Sequence, residues 1–197
     1  AGLSSTPRHS TGTAVIGGNT YELQSIESLT ATSGNDLVTD DASANLVYGG
    51  SGNDTYYVDS TGDRTIETST LATEIDTVIS SISHTRASNV ERLDLTGNGN
   101  LSGYGNALAN VLFGNTGSNY LNGSVGNDRL YGDDGNDLLY GGAGNDMLTG
   151  DSGLDRFTFT TTLNATTNVD SVMDFVSADD RFDLDNVAYA KRMRDKG

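Results

Sequence analysis

Gly105–Thr158 reads GNALANVLF GNTGSNYLN GSVGNDRLY GDDGNDLLY GGAGNDMLT GDSGLDRFT, six nonads in unbroken register. Glycine holds position 1 in every one, and position 8 is Leu112, Leu121, Leu130, Leu139, Leu148 and Phe157. Position 6 passes from Asn110 and Asn119 to Asp128, Asp137, Asp146 and Asp155. Self-similarity at a fixed short period marks a solenoid, in which each repeat buries its apolar face only against its neighbours. A shorter array starts at Ala31 with ATSGNDLVT, DDASANLVY and GGSGNDTYY, continued by VDSTGDRTI with Asp63 at position 6.

The nonad dictates its own local structure. Positions 1 to 6 are glycine-rich and polar and predict a turn, because glycine tolerates positive φ. Positions 7 to 9 predict a three-residue strand, such as Leu138–Tyr140. Side chains alternate across a strand, so position 8 alone faces inward. Two nonads complete one coil with a loop on each edge, and loops two repeats apart stack about 4.8 Å from one another. The fold class expected is all-β, a right-handed parallel β-roll.

Stacking places Asp128 over Asp146, Asp137 over Asp155, and Asp36 over Asp54. Carboxylates so close repel unless a cation lies between them. Donors restricted to carboxylate and carbonyl oxygen favour a hard ion with many ligands, calcium rather than zinc or copper. One buried side chain per nonad returns little against the entropy of ordering nine residues, so metal binding is expected to supply folding free energy directly.

Composition points the same way. The 197 residues carry a formal net charge of −16, with 35% hydrophobic and 7% aromatic residues, 25 glycines, one proline and no cysteine or tryptophan. That is lean for a side-chain-filled core. Such acidity excludes nucleic acid as a natural partner and favours cation uptake. The absence of cysteine removes any disulfide framework. No apolar run is long enough to span a membrane as a helix. Ala1–Ser10 lacks the apolar core of a signal peptide and an initiator Met, so a fragment or processed product is expected.

These nonads resemble the RTX family, whose GGxGxDxUx repeat binds calcium in a parallel β-roll. Gly49–Tyr57 (GGSGNDTYY) fits every position, and Gly141–Thr149 nearly so. In that family, carbonyls at positions 2 and 4 and Asp at 6 of one loop join positions 1, 3 and 6 of the loop two repeats on. The resemblance implies several calcium ions. One is held by Ser124, Gly126 and Asp128 with Gly141, Ala143 and Asp146. A second is held by Asp133, Gly135 and Asp137 with Gly150, Ser152 and Asp155. A third is held by Thr32, Gly34 and Asp36 with Gly49, Ser51 and Asp54. Asn119 opposite Asp137, and Ala44–Asn45 opposite Asp63, offer less charge and imply weaker sites.

The segment Asp170–Leu184 (DSVMDFVSADDRFDL) resembles the part that closes the roll in secreted serralysin-type proteases. That likeness implies a terminal calcium site lined by Asn164, Asp170 and Asp180; the competing reading is solvated loop acids. Val58–Gly103 breaks the nine-residue register, yet Ile75–Ile82 and Val90–Leu95 still read as strands. The expected organisation is capping strands over 1–30, a first array over 31–66, irregular rungs over 67–104, a second array over 105–158, and a capping segment with tail over 159–197. The ending KRMRDKG (Lys191–Gly197) departs from the apolar C-terminal secretion signal expected in the family.

Catalysis finds little support. Gly150–Gly153 reads GDSG, but a nucleophilic serine needs a positioned base, and the chain has only His9 and His84. The tetrapeptide is also positions 1 to 4 of a nonad. No H-E-x-x-H zinc motif occurs. A ladder of acids fits cation binding better than the carboxylate pair of a glycosidase. Tyr131 and Tyr140, at position 9, face outward. The function expected is a calcium-responsive, non-catalytic module of a larger protein, exported by type I secretion machinery and folding outside the cell. The alternatives are a structural segment of an adhesin or surface-layer protein, or a calcium-dependent polysaccharide-binding or accessory tail of a secreted protease, lipase or alginate epimerase. Calcium is thus the expected partner, with extracellular polysaccharide or the cell surface as further ones.

Overall fold

The computed structural model describes residues 7–16, 19–26, 28–39, 42–71, 73–85, 88–160 and 166–184. Among them there is no helix. The chain divides into two compact units, 1–96 and 97–197.

In the first unit the strands are β1 (Pro7–Ile16), β2 (Asn19–Ile26), β3 (Ser28–Thr30), β4 (Leu37–Thr39), β5 (Leu46–Tyr48), β6 (Thr55–Val58), β7 (Arg64–Ile66), β8 (Thr77–Ser80), β9 (His84–Thr85) and β10 (Arg92–Leu95). One wall runs β1–β4–β6–β8–β10, parallel from β4 onward, while β1 pairs antiparallel with both β4 and β2. The other wall is the parallel set β3–β5–β7. The opening stretch is therefore an antiparallel hairpin that covers the first parallel strand of one wall, with β3 already a rung of the other.

In the second unit the strands are β11 (Ser102–Tyr104), β12 (Val111–Phe113), β13 (Tyr120–Asn122), β14 (Arg129–Tyr131), β15 (Leu138–Tyr140), β16 (Met147–Thr149), β17 (Arg156–Phe159), β18 (Ser171–Val172) and β19 (Arg181–Leu184). Parallel pairing runs β12–β14–β16–β18 on one wall and β11–β13–β15–β17–β19 on the other. Alternate strands go to opposite walls, which is the β-roll the nonads predict. Register is strict: Leu130 faces Leu148 and Leu139 faces Phe157, each eighteen residues or one coil apart.

Position 8 forms the core. Leu112, Leu121, Leu130, Leu139, Leu148 and Phe157 are all 0% exposed, and in the first unit Leu29, Val38, Val47, Tyr56 and Val78 are buried in its own core. Outward rings pack along the walls from rung to rung, Phe113 on Tyr131 at 4.7 Å and Tyr104 against Tyr120 at 5.4 Å. Such cross-strand aromatic pairs stabilise neighbouring rungs. Near the last described residues of the second unit, Phe175 stacks on Phe182 at 4.2 Å and both rings approach Phe157.

Candidate metal centre

The turns are built on left-handed residues at positions 2 and 4. Ser124, Asp133, Gly142 and Asp151 take φ of 81°, 71°, 107° and 63° at position 2, and Gly126, Gly135, Gly144 and Gly153 follow at position 4. Glycine is required at position 4 by packing as well as by φ, since a Cβ on Gly144 would run into the Gly126 carbonyl of the loop one coil below.

Each position-6 side chain then belongs to a ladder along its edge. The Asn110 N–H donates to Asp128 Oδ1 (2.7 Å), the Asp128 N–H to Asp146 Oδ1 (2.8 Å), and the Asp146 N–H to Asp170 Oδ1 (3.1 Å). On the opposite edge the Asn119 N–H donates to Asp137 Oδ1 (2.7 Å), the Asp137 N–H to Asp155 Oδ1 (2.9 Å), and the Asp155 N–H to Asp180 Oδ1 (3.1 Å). The first unit repeats the pattern, with the Asp36 N–H on Asp54 Oδ1 (2.8 Å) and the Asn45 N–H on Asp63 Oδ1 (2.9 Å). One oxygen of each acid is thus committed to backbone.

The other oxygen separates two kinds of loop. In Asp36, Asp63 and Asp180, Oδ2 accepts an N–H from the loop's own start, from Thr32 (3.0 Å), Ser60 (2.8 Å) and Val176 (2.7 Å). In Asp128, Asp137, Asp146 and Asp155, Oδ2 is buried with no hydrogen-bond partner. All four loops have a left-handed second residue, as does the Asp54 loop at Gly50, where Oδ2 instead lies 3.3 Å from the Tyr56 hydroxyl. Buried polar atoms are nearly always satisfied, so four unsatisfied carboxylate oxygens in register call for a ligand. A Cβ on Gly123 would meet both Asp128 Oδ2 and the Gly141 carbonyl oxygen, and one on Gly132 would meet Asp137 Oδ2 and the Gly150 carbonyl. Position-1 glycine therefore keeps clear the space where aspartate of one loop and carbonyl of the loop one coil above converge.

Without a cation these acids resist ionising. Burial pushes Asp128 and Asp137 up to about 7, and the neighbouring carboxylates Asp146 and Asp155 add to the rise. Burial likewise raises Asp146 and Asp155 to about 6, with Asp170 and Asp180 contributing. Ordered oxygen donors, unsatisfied and crowded with negative charge, fit calcium.

The remaining sequence-predicted residues lie in the same loops. The carbonyls of Ser124 and Asp133 accept from Ala143 (2.9 Å) and Ser152 (3.1 Å), whose own carbonyls accept from Gly126 (2.9 Å) and Gly135 (2.8 Å). Each carbonyl retains a second lone pair. Thr32, Gly34 and Ser51 form the corresponding ladder in the first unit, with the Gly34 N–H on the Ser51 carbonyl (2.6 Å). Asp170 and Asp180 continue the position-6 ladders, whereas Asn164 lies outside the described residues.

Several ladder members escape a nine-residue frame. The Asp54 N–H donates to Asp76 Oδ1 (2.7 Å), twenty-two residues on, and the Asp76 N–H to Glu91 Oε2 (2.9 Å). Asp174 accepts from Gly150 (3.0 Å) and Asp151 (2.7 Å). A second, rim-side ladder uses position 5: Asn127 accepts from the Asn145 N–H (2.9 Å), and Asn136 from the Leu154 N–H (2.9 Å). The recurring Asn-Asp pair in the sequence was the signal for this rim ladder.

Parallel walls, stacked glycine turns and rows of buried aspartate define a calcium-binding β-roll. Comparison with protein families gives the narrower assignment: residues 25–63, 104–139 and 123–157 match the RTX calcium-binding nonapeptide repeat. Both arrays of the chain therefore carry RTX calcium-binding repeats. No curated protein matches it.

Proposed function

We propose that this chain is a calcium-responsive RTX module that folds as calcium fills its loops and serves as a non-catalytic scaffold within a larger secreted protein. The four buried, unsatisfied Asp Oδ2 atoms carry the reading. In it, Ser124, Gly126 and Asp128 hold one ion with Gly141, Ala143 and Asp146, and Asp133, Gly135 and Asp137 hold another with Gly150, Ser152 and Asp155. The Thr32–Asp36 loop with Gly49, Ser51 and Asp54 makes a weaker site, because Asp36 Oδ2 already receives the Thr32 amide. Asp170 and Asp180 close the two ladders at the end of the second unit. Calcium relieves the burial of carboxylate charge and so couples ion uptake to folding. Export through a type I system follows from the family likeness and suits a chain that stays unfolded where calcium is scarce.

Circular dichroism of the chain across a calcium titration tests the proposal. Little β signal in chelator, rising cooperatively with calcium toward millimolar levels, is expected for an extracellular module. A full β spectrum in excess chelator, unchanged by calcium, would refute it.

A further inference from the structure

Where the first array ends, the chain gathers a different group of acids. Asp54, Glu67 and Asp76 are all buried, and one carboxylate oxygen from each lies within 4.8 Å of the others. Asp54 belongs to a nonad. Glu67 occupies the next position 1 on the same edge, where the repeat has glycine, and Asp76 follows after a loop four residues longer than the repeat allows. The insertion does not disturb the wall, because β6 still pairs with β8, Tyr56 facing Val78. Asp76 therefore keeps the position-6 place in the ladder, accepting the Asp54 N–H at 2.7 Å.

Two observations point to a ligand in this cluster. Glu67 is only 5% exposed, and its Oε2 is buried with no hydrogen-bond partner. Its Oε1 is held by the Tyr56 hydroxyl, which also lies 3.3 Å from Asp54 Oδ2. A phenol has a single proton, so it can donate to one of these two carboxylates and not to both. Among the described residues, no basic side chain forms an ion pair with any of the three acids.

We propose that Asp54, which the Thr32–Asp36 loop site also uses, forms with Glu67 and Asp76 a side-chain calcium site tighter than the repeat sites. Three oxygens no more than 4.8 Å apart all lie within about 2.8 Å of some common point, close enough for one calcium ion to reach all three with little adjustment. Three carboxylates converge here, where a repeat pair such as Asp128 and Asp146 brings two. Greater ligand charge tightens calcium binding. The site is the first to fill, and it anchors the rung at which the nine-residue frame breaks. The proposal rests on the calcium reading above only for the identity of the ion.

Terbium, which replaces calcium and luminesces when a nearby tyrosine is excited, reports on the site through Tyr56. Calcium binding by calorimetry and terbium luminescence are measured on the wild type, Glu67→Gln, Asp76→Asn and, as a repeat-site control, Asp128→Asn. Both test variants keep the shape of the side chain and its acceptor oxygen, and folding of each is checked in saturating calcium. The wild type is expected to show a tightest step that weakens about tenfold or more in Glu67→Gln, as for other losses around a metal site. Asp76→Asn should behave alike, and it decides the matter alone if Glu67→Gln does not fold. Asp128→Asn should retain the step. A tightest step unchanged in the folded test variants would overturn this site and leave the repeat reading standing. A wild type that takes up no calcium would overturn both.

Discussion

Asp137→Asn is expected to make the calcium-free chain more stable while making calcium less effective. In the folded chain Asp137 is 1% exposed, and burial raises its pKa from 3.8 to about 7. A folded pKa above the unfolded one means that the group favours folding below about 3.8, and that this support is lost as pH rises through about 7. At about 1.4 kcal/mol per pH unit, the ionised side chain costs the calcium-free fold about 4 kcal/mol at neutral pH and above. Asparagine carries no such cost. Its oxygen still accepts the Asn119 N–H, and its amide lies where Asp137 Oδ2 meets the Gly150 carbonyl, an acceptor. Asp137→Ala removes the same charge but strands the buried Asn119 N–H, at about 1–3 kcal/mol. Urea unfolding and circular dichroism in chelator, from about pH 5 to neutral, give the comparison. The wild type should lose β structure as pH rises; Asp137→Asn should hold it to higher pH, with Asp137→Ala between them or below both. The calcium-induced gain in stability should shrink in both variants. If Asp137→Asn is less stable than the wild type in chelator at neutral pH, charge burial is not what calcium relieves, and the reasoning fails.

Further outcomes follow from the same geometry. Asp137→Ala should raise the calcium midpoint for folding more than Asp36→Ala, because Asp36 Oδ2 is already satisfied by Thr32 whereas Asp137 Oδ2 is not; calcium titrations of the two variants, with the reverse order refuting it, decide this. Leu139→Ala should cost about 2–5 kcal/mol in calcium-saturated urea unfolding, against nearly nothing for the exposed Leu108→Ala. Magnesium should fold the chain only at far higher concentration than calcium, since its compact octahedron does not suit shared carboxylates and carbonyls; equal midpoints would contradict that. Ser152→Ala should leave the calcium midpoint nearly unchanged, because Ser152 contributes its backbone, donating to Asp133 and accepting from Gly135; stoichiometric labelling of Ser152 by a serine-reactive probe would contradict it.

The nonad by itself determined the roll. A constant nine-residue spacing puts Leu130 over Leu148 and Asp137 over Asp155 before any coordinates are known, because equal loops keep equal strands in register. Composition and the aspartate period likewise pointed to calcium. Tertiary structure decided which loops leave an oxygen free. Asp36 and Asp137 occupy the same repeat position, yet only the loop with a left-handed second residue leaves Oδ2 unsatisfied, and glycine is not needed there, as Asp133 shows. It also decided the places of Asp76 and Glu91, whose spacings of twenty-two and fifteen residues from Asp54 and Asp76 carry no period, and that Glu67, in frame at position 1, meets Asp54 and Asp76. Register in a β-roll is held by strand pairing, so a loop can lengthen on an edge without moving the walls. Sequence spacing encodes that register only while the loops stay equal; once they differ, only the paired backbone shows which acids meet.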